Sequence, residues 1–188
     1  MRVANNIVTL LCAGALAAFA QFAPSRAAAQ TEALDSLFEE LQAAGPASWK
    51  AVERKIWREW SKSGSPAMDL LLERGRKEME KGNFAEAIGH FSTVIDHAPD
   101  FAEAWNARAT AFFMADRYGL SMEDIEQTLR LNPRHFGAMS GLGMILERMN
   151  RPEDALTAYR EVLKVHPQRP DAKNAVERLE AQIEGEAL

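Results

Sequence analysis

The side chains able to do acid–base or metal chemistry are few and poorly spaced for it. His90, His97, His135 and His166 are the four histidines. Three of them fall at or near the ends of expected helices, where a cation at a C-terminus is favoured for ordinary electrostatic reasons. On one helix, His90 and His97 would stand about 10.5 Å apart along the axis, too far to share a metal whose bonds are about 2 Å long. Adjacent acids such as Glu39-Glu40 and Glu123-Asp124 read as solvated faces rather than as an acid and a base. The sequence holds no glycine-rich phosphate loop, no nucleophile elbow and no pair of metal ligands on adjacent turns. Cys12 is the only cysteine and lies in an N-terminal leader, so the mature chain would have no thiolate nucleophile, disulfide or cysteine metal site. The expectation is a protein that is not an enzyme and uses no cofactor or metal.

What remains is the capacity to hold another molecule, and the elements that would position it repeat at an interval of 34 residues. Pro99, Pro133 and Pro167 end three units, 68–101, 102–135 and 136–169. The same step aligns Leu71, Trp105 and Met139; Gly75, Ala109 and Gly143; Glu78, Phe112 and Leu146. It also aligns Ala87, Ser121 and Ala155; Phe91, Ile125 and Tyr159; and Ile95, Leu129 and Leu163. A strict period of this length implies one helical pair stacked on copies of itself, because a single pair cannot bury its apolar face alone. Turns fall at Lys81-Gly82-Asn83, Ala115-Asp116-Arg117 and Met149-Asn150-Arg151. Asn83 with Glu86, and Asp100 with Glu103, have the polar residue and later acid of a capping box, and Pro152 suits a first helical position. The small residues at 75, 109 and 143, and at 87, 121 and 155, would let the two helices of a unit cross closely. Arg74 and Arg108, one period apart on the packing side, either pair with acids such as Asp96 and Asp124 or lay their stems on the core and reach water.

These residues resemble the signature of the tetratricopeptide repeat. The third unit is the nearest match, with Met139, Leu142-Gly143, Leu146, Ala155, Tyr159 and Pro167. The second has Trp105 but Arg108 where a leucine is usual, and the first has Arg74 and Glu78 at places where a leucine and an aromatic are expected. The resemblance implies an all-α fold, a right-handed solenoid of stacked antiparallel helix pairs, and a general role in binding other proteins. The family's clamp for a chaperone's terminal carboxylate uses lysine, asparagine and arginine on successive first helices. Here the corresponding inner positions include Leu72, Ala107, Gly137 and Gly141, so a chaperone-tail adaptor is not expected.

With one side of each first helix used for packing, the opposite side should line a concave groove. That assigns Asp69, Leu72, Arg76, Met79 and Glu80 in the first unit, Glu103, Asn106, Thr110, Phe113 and Met114 in the second, and Ser140, Met144, Glu147 and Arg148 in the third. Met79, Phe113, Met114 and Met144 would form an adaptable apolar floor for a peptide or helix, while Arg76, Asn106 and Arg148 fix its backbone or a carboxylate. The methionines could equally fill gaps between helices.

The flanks complete the reading. Residues 1–29 have one early charge, Arg2, an apolar run from Ile7 to Ala20, and the small-residue ending Ala27-Ala28-Ala29, which is the pattern of a cleaved secretory signal peptide. An uncleaved anchor is the other reading, although the run is shorter than the ~20 residues a spanning helix needs. Cleavage would remove Arg2 and Arg26 from 22 basic residues against 27 acidic, leaving a charge of −7, unsuited to nucleic acid or anionic lipid. Residues 30–67 hold Leu34, Leu37, Phe38 and Leu41, a break at Gly45-Pro46, and the stripe Trp49, Val52, Ile56, Trp57 and Trp60. This helix pair is expected to be a degenerate first repeat capping the stack, its tryptophans in the core or exposed as a docking patch. Residues 170–188 should form a C-terminal capping helix. The function expected is a non-catalytic protein-binding scaffold in the periplasm of a bacterium. The alternatives are a structural subunit of an envelope assembly, acting through its ends or outer face, and a regulatory module for an envelope enzyme.

Overall fold

The computed structural model describes residues 26–186. The leader upstream of Arg26 lies outside the described residues. Among the described residues there are nine helices and no strand: α1 (Arg26–Ala43), α2 (Trp49–Trp60), α3 (Pro66–Glu80), α4 (Phe84–His97), α5 (Ala102–Met114), α6 (Tyr118–Leu131), α7 (Phe136–Arg148), α8 (Pro152–Val165) and α9 (Pro170–Glu186). None of them is long and apolar enough to cross a membrane.

The three repeats are the pairs α3–α4, α5–α6 and α7–α8. Each pair turns through a residue in the left-handed region, again at the 34-residue interval: Gly82 at φ 79°, Asp116 at 56° and Asn150 at 56°. At each, the next residue's N–H reaches back to the helix end, from Asn83 to the Glu78 carbonyl (2.9 Å), Arg117 to Phe112 (2.8 Å) and Arg151 to Leu146 (2.9 Å). This double-bonded ending satisfies carbonyls that a helix terminus otherwise leaves free. The start signals are less faithful. The Asp100–Glu103 capping box does not form, because Glu103 is buried in the interior, and Asn83 makes no side-chain cap bond. His135 takes that role instead, its Nδ1 accepting from the Ala138 N–H at 3.1 Å.

The small residues act where the spacing placed them. A Cβ on Gly143 would lie 2.7 Å from the Tyr159 ring, and one on Gly75 would enter the Phe91 ring. In the middle unit, Ser121 Oγ donates to the Ala109 carbonyl at 2.7 Å, which only a close crossing permits. Arg108 forms a two-pronged pair with Asp124, at 2.7 and 2.8 Å, and donates to Ser92 Oγ at 3.0 Å. Arg74 takes the other course and is exposed. The first helices touch along the stack, α3 with α5 and α5 with α7, and so line its tighter, concave side. α9 closes the far end with Ala172, Ala175 and Leu179 in the core.

The N-terminal pair is not the stacked cap expected from the sequence. Phe38, Leu41, Trp49, Val52, Ile56 and Trp60 share one core with Phe136, Leu146 and Val162 of the third repeat. Gln42 Nε2 donates to the Lys164 and Val165 carbonyls at 2.7 and 2.9 Å, capping the end of α8. The reason is steric. One period before Gly75 and Ala87 stand Leu41 and Glu53, so α1 and α2 lack the small crossing residues of a repeat. They fold back across the concave side instead.

Replacing Ala155, fully buried against the neighbouring helix, with leucine should lower the free energy of urea unfolding by ~1–3 kcal/mol through overpacking. Arg108→Met should cost roughly 3 kcal/mol by leaving the Asp124 carboxylate buried without its partner. An unchanged midpoint for Ala155→Leu would contradict the helix crossing described, and an unchanged one for Arg108→Met would make its ion pair energetically idle.

Candidate peptide-binding groove

A carboxylate in the interior organises the concave side. Glu103, on the first turn of α5, is 4% exposed. A buried charge persists only when paired and fully hydrogen-bonded, and Glu103 has three partners. Arg76 of α3 reaches it at 2.5 Å, His135 Nε2 at 2.9 Å, and Asn106 Nδ2 at 3.2 Å. Since His135 Nδ1 accepts from Ala138, the ring proton on Nε2 is the one directed at Glu103. Arg76 also donates to Ser61 Oγ, at the end of α2, at 3.1 Å. One polar chain thus ties α2 to all three inner helices.

Aromatic packing carries α2 the rest of the way. Trp60 stacks on His135 with centroids 4.2 Å apart, and Trp57 meets His135 and Phe136 edge-on, both at 5.5 Å. Such pairs add about 0.5–1.5 kcal/mol each to the burial of their area. Gly137 makes this possible, because a Cβ there would lie 2.7 Å from Trp57 Cη2. At the other end of α2, Trp49 packs edge-on to His166 at 5.2 Å, and Glu53 holds Arg169 at 2.5 Å and accepts from the Trp57 indole at 3.3 Å. His166 Nε2 is 3.7 Å from Glu53, beyond hydrogen-bond reach but near enough to act electrostatically. Burial pushes the Glu53 pKa up, yet His166, the Arg169 guanidinium and the Trp57 indole together outweigh it and hold the carboxyl below its ordinary value of 4.5.

The open part of the groove lies between α2 and the inner helices. One cleft, of about 760 Å³, has Arg54, Trp57 and Arg58 of α2 on one wall and Arg76, Met79, Asn106 and Thr110 on the other. A smaller pocket of about 230 Å³ continues between α5 and α7, lined by Asn106, Thr110, Phe113, Met114, Ser140 and Met144. Ten of the fourteen residues assigned to the groove therefore line these two cavities, while Asp69 is drawn off to accept from the Ser63 N–H at 2.7 Å. Leu72 does not line them, being 1% exposed in the core shared with Phe101, Ala104 and Ala107, where the first two units close on each other. Glu147 is also drawn away, accepting from the Tyr159 hydroxyl at 2.8 Å and pairing with Arg178 at 2.7 Å. Arg148 is exposed at the end of α7 and lines neither cavity. Arg76 does bind a carboxylate, as its position suggested, but that of Glu103. Sequence reasoning missed the wall supplied by α2. The signal was Gly137 on the inner face of α7, which leaves room that a tryptophan can fill.

The family pattern described as tetratricopeptide repeat matches residues 72–134, 117–170 and 141–179. The chain belongs to the tetratricopeptide-repeat family. A TPR repeat-containing protein of Rhizobium etli is 35% identical over 153 residues, covering 81% of this chain and 75% of that one. This is longer than the repeats and α9 together, so the likeness extends into the α1–α2 pair. The small glutamine-rich tetratricopeptide repeat-containing protein 2 of Saccharomyces cerevisiae is 28% identical over 133 residues, covering 71% of this chain but only 37% of its own length. Among solved structures, the first tetratricopeptide domain of Spaghetti (RPAP3) bound to the HSP90 peptide SRMEEVD superposes with a TM-score of 0.59 at 24% identity. It covers 62% of this chain and 92% of that domain. The Sgt2 domain of Aspergillus fumigatus gives 0.60 at 23%, covering 64% and 81%. At such identities the likeness shows the fold. Proteins of the family mediate protein–protein interactions.

Because the Glu53 pKa is depressed on folding, its contribution is complete above its unfolded value near 4.5 and is lost as pH falls through the lower folded value. Trp57, bonded to Glu53, should therefore report release of α2 in acid by a change in emission. In Glu53→Gln that acid transition should be blunted; an identical titration in both proteins would remove Glu53 from the docking of α2.

Proposed function

We propose that this protein is a non-catalytic interaction module of the bacterial cell envelope that holds a partner peptide or helix in the trench between α2 and the inner helices. The observation that carries the reading is the trench floor. Met114 and Met144, two of the four large apolar side chains that stand out to solvent among the described residues, flank it beside Phe113. Flexible thioethers around an aromatic adapt to an incoming apolar surface. The Spaghetti domain, similar in fold, is bound to a peptide, which supports a peptide-sized occupant. The role in the envelope rests on the leader-like pattern of residues 1–29, and the bacterial setting is supported by the Rhizobium relative. Assembly through exposed tryptophans loses its basis, since Trp49 and Trp60 are buried within the chain itself and Trp57 is half-buried.

Crosslinking capture from cell-envelope extract, with wild type beside the Phe113→Ala, Met144→Ala double variant, tests the site. Wild type should retain a partner that the variant loses, with both proteins melting at similar temperatures. Equal capture by the two would move binding to the outer face or the ends of the stack.

A further inference from the structure

The two cavities share Asn106 and Thr110, so they form one trench with a polar half and an enclosed half. Each half has an unfilled chemical requirement. In the wider half, Arg54 and Arg58 lie one helical turn apart on α2, both exposed, and neither makes an ion pair or hydrogen bond among the described residues. Their neighbours on α2 are occupied: Lys55 pairs with Glu40, Glu53 with Arg169 and Glu59 with Lys62. The acid facing them across the cleft is Glu80, since Glu103 is buried and held by Arg76. In a chain with a net charge of −5, two adjacent unpaired guanidinium groups facing a cleft are a local reversal of sign.

The enclosed half is built differently. At about 230 Å³ it falls below the ~300–1,000 Å³ of ordinary small-molecule sites and has room for a single large side chain. Its walls are largely apolar, with Ala109, Ile125 and Ala138 behind Phe113 and Met144, and its lining also includes Arg169 and Asp171, which neutralise each other as an ion pair at 2.7 Å. The hydroxyl of Ser140, on a residue 5% exposed, is buried in this lining and has no hydrogen-bond partner. A buried polar group without a partner costs stability unless something satisfies it. Gly141, with no side chain, keeps the space open.

We infer that the trench recognises an acidic peptide segment with a tyrosine anchor: its carboxylates meet Arg54 and Arg58, and the tyrosine ring enters the enclosed pocket with its hydroxyl at Ser140. The aromatic ring suits the methionine and phenylalanine walls, and when the Ser140 side chain turns from its buried position toward the cavity the phenol supplies the hydrogen bond it lacks. This rests on the groove reading above and adds to it the chemistry of the partner. The arginines belong to α2, outside the repeats, so selectivity is set by the element that fills the other side of the groove.

The test is selection of a random twelve-residue peptide library, displayed on phage, against the folded chain, followed by affinity measurement on synthetic copies of the winners. Winners should be rich in Asp and Glu around a tyrosine. Their affinity should fall at least ten-fold against Arg54→Glu with Arg58→Glu, and similarly against Gly141→Leu, which plugs the pocket; replacing the peptide's tyrosine by phenylalanine should weaken binding several-fold. Arg54 and Arg58 are exposed and unpaired, and a Cβ on Gly141 meets only Ile125 at 3.4 Å, so these variants should fold. Winners without acidic bias, bound equally by the arginine variants but lost in the Phe113→Ala, Met144→Ala protein, would overturn this inference and leave the groove reading standing. Winners untouched by any trench variant, or none above an unfolded-protein control, would overturn both. Self-association abolished by Gly141→Leu would give the trench to a second copy of the chain and overturn the peptide assignment.

Discussion

A single buried carboxylate sets the terms for the concave side. Glu103 must be compensated wherever it is placed, and the partners that do so come from three inner helices: Arg76 on α3, Asn106 on its own α5, and His135 at the N-cap of α7. Side chains held in this way lose their freedom to recognise a ligand. The consequence is a division of labour along each inner helix. The early turns are spent on internal bonding and on receiving α2, and the later turns, with Met79, Thr110, Phe113, Met114 and Met144, are left to face outward.

The α1–α2 pair changes what the repeats can do. A bare stack of three units would offer a broad, shallow concavity. With α2 laid over the N-terminal ends of the inner helices, that concavity becomes a trench whose second wall has its own chemistry. The tryptophans hold α2 by packing, and Gly137 admits Trp57 where Asp69 and Glu103 occupy the equivalent places of the other units. The alignment with the Rhizobium relative runs into this pair, so the likeness is not confined to the repeats.

Much of this was legible in the sequence because it depends on spacing alone. The 34-residue interval fixed the helix pairs, the turns at 82, 116 and 150, and the small residues at each crossing, all of which follow from local geometry. The pairing of Arg108 with Asp124 was also open to inference, since a buried guanidinium restricts its partners. What spacing does not encode is where a non-repeating element goes. The apolar stripe of α2 announces burial but not the surface that buries it, and the absence of small residues at Leu41 and Glu53 was the one sign that it could not stack as a repeat. The same limit explains Leu72 and Glu147. Both lie on the expected face, yet the closing of one unit on the next claims the first, and Tyr159 with Arg178 claims the second.

The ion pair between Glu53 and Arg169 spans 116 residues, and its effect reaches beyond the groove. An array of stacked repeats is nearly one-dimensional: each unit touches only its neighbours, so the ends can fray one at a time. Here a helix from the beginning of the chain grips the turn that leads into the last helix. α9 cannot peel away from α8 without loosening α2, and α2 cannot leave without uncovering Phe136 and His135 at the centre of the stack. The clasp turns a linear assembly into a closed one, whose parts come apart together and whose folding must wait for contacts between its two ends.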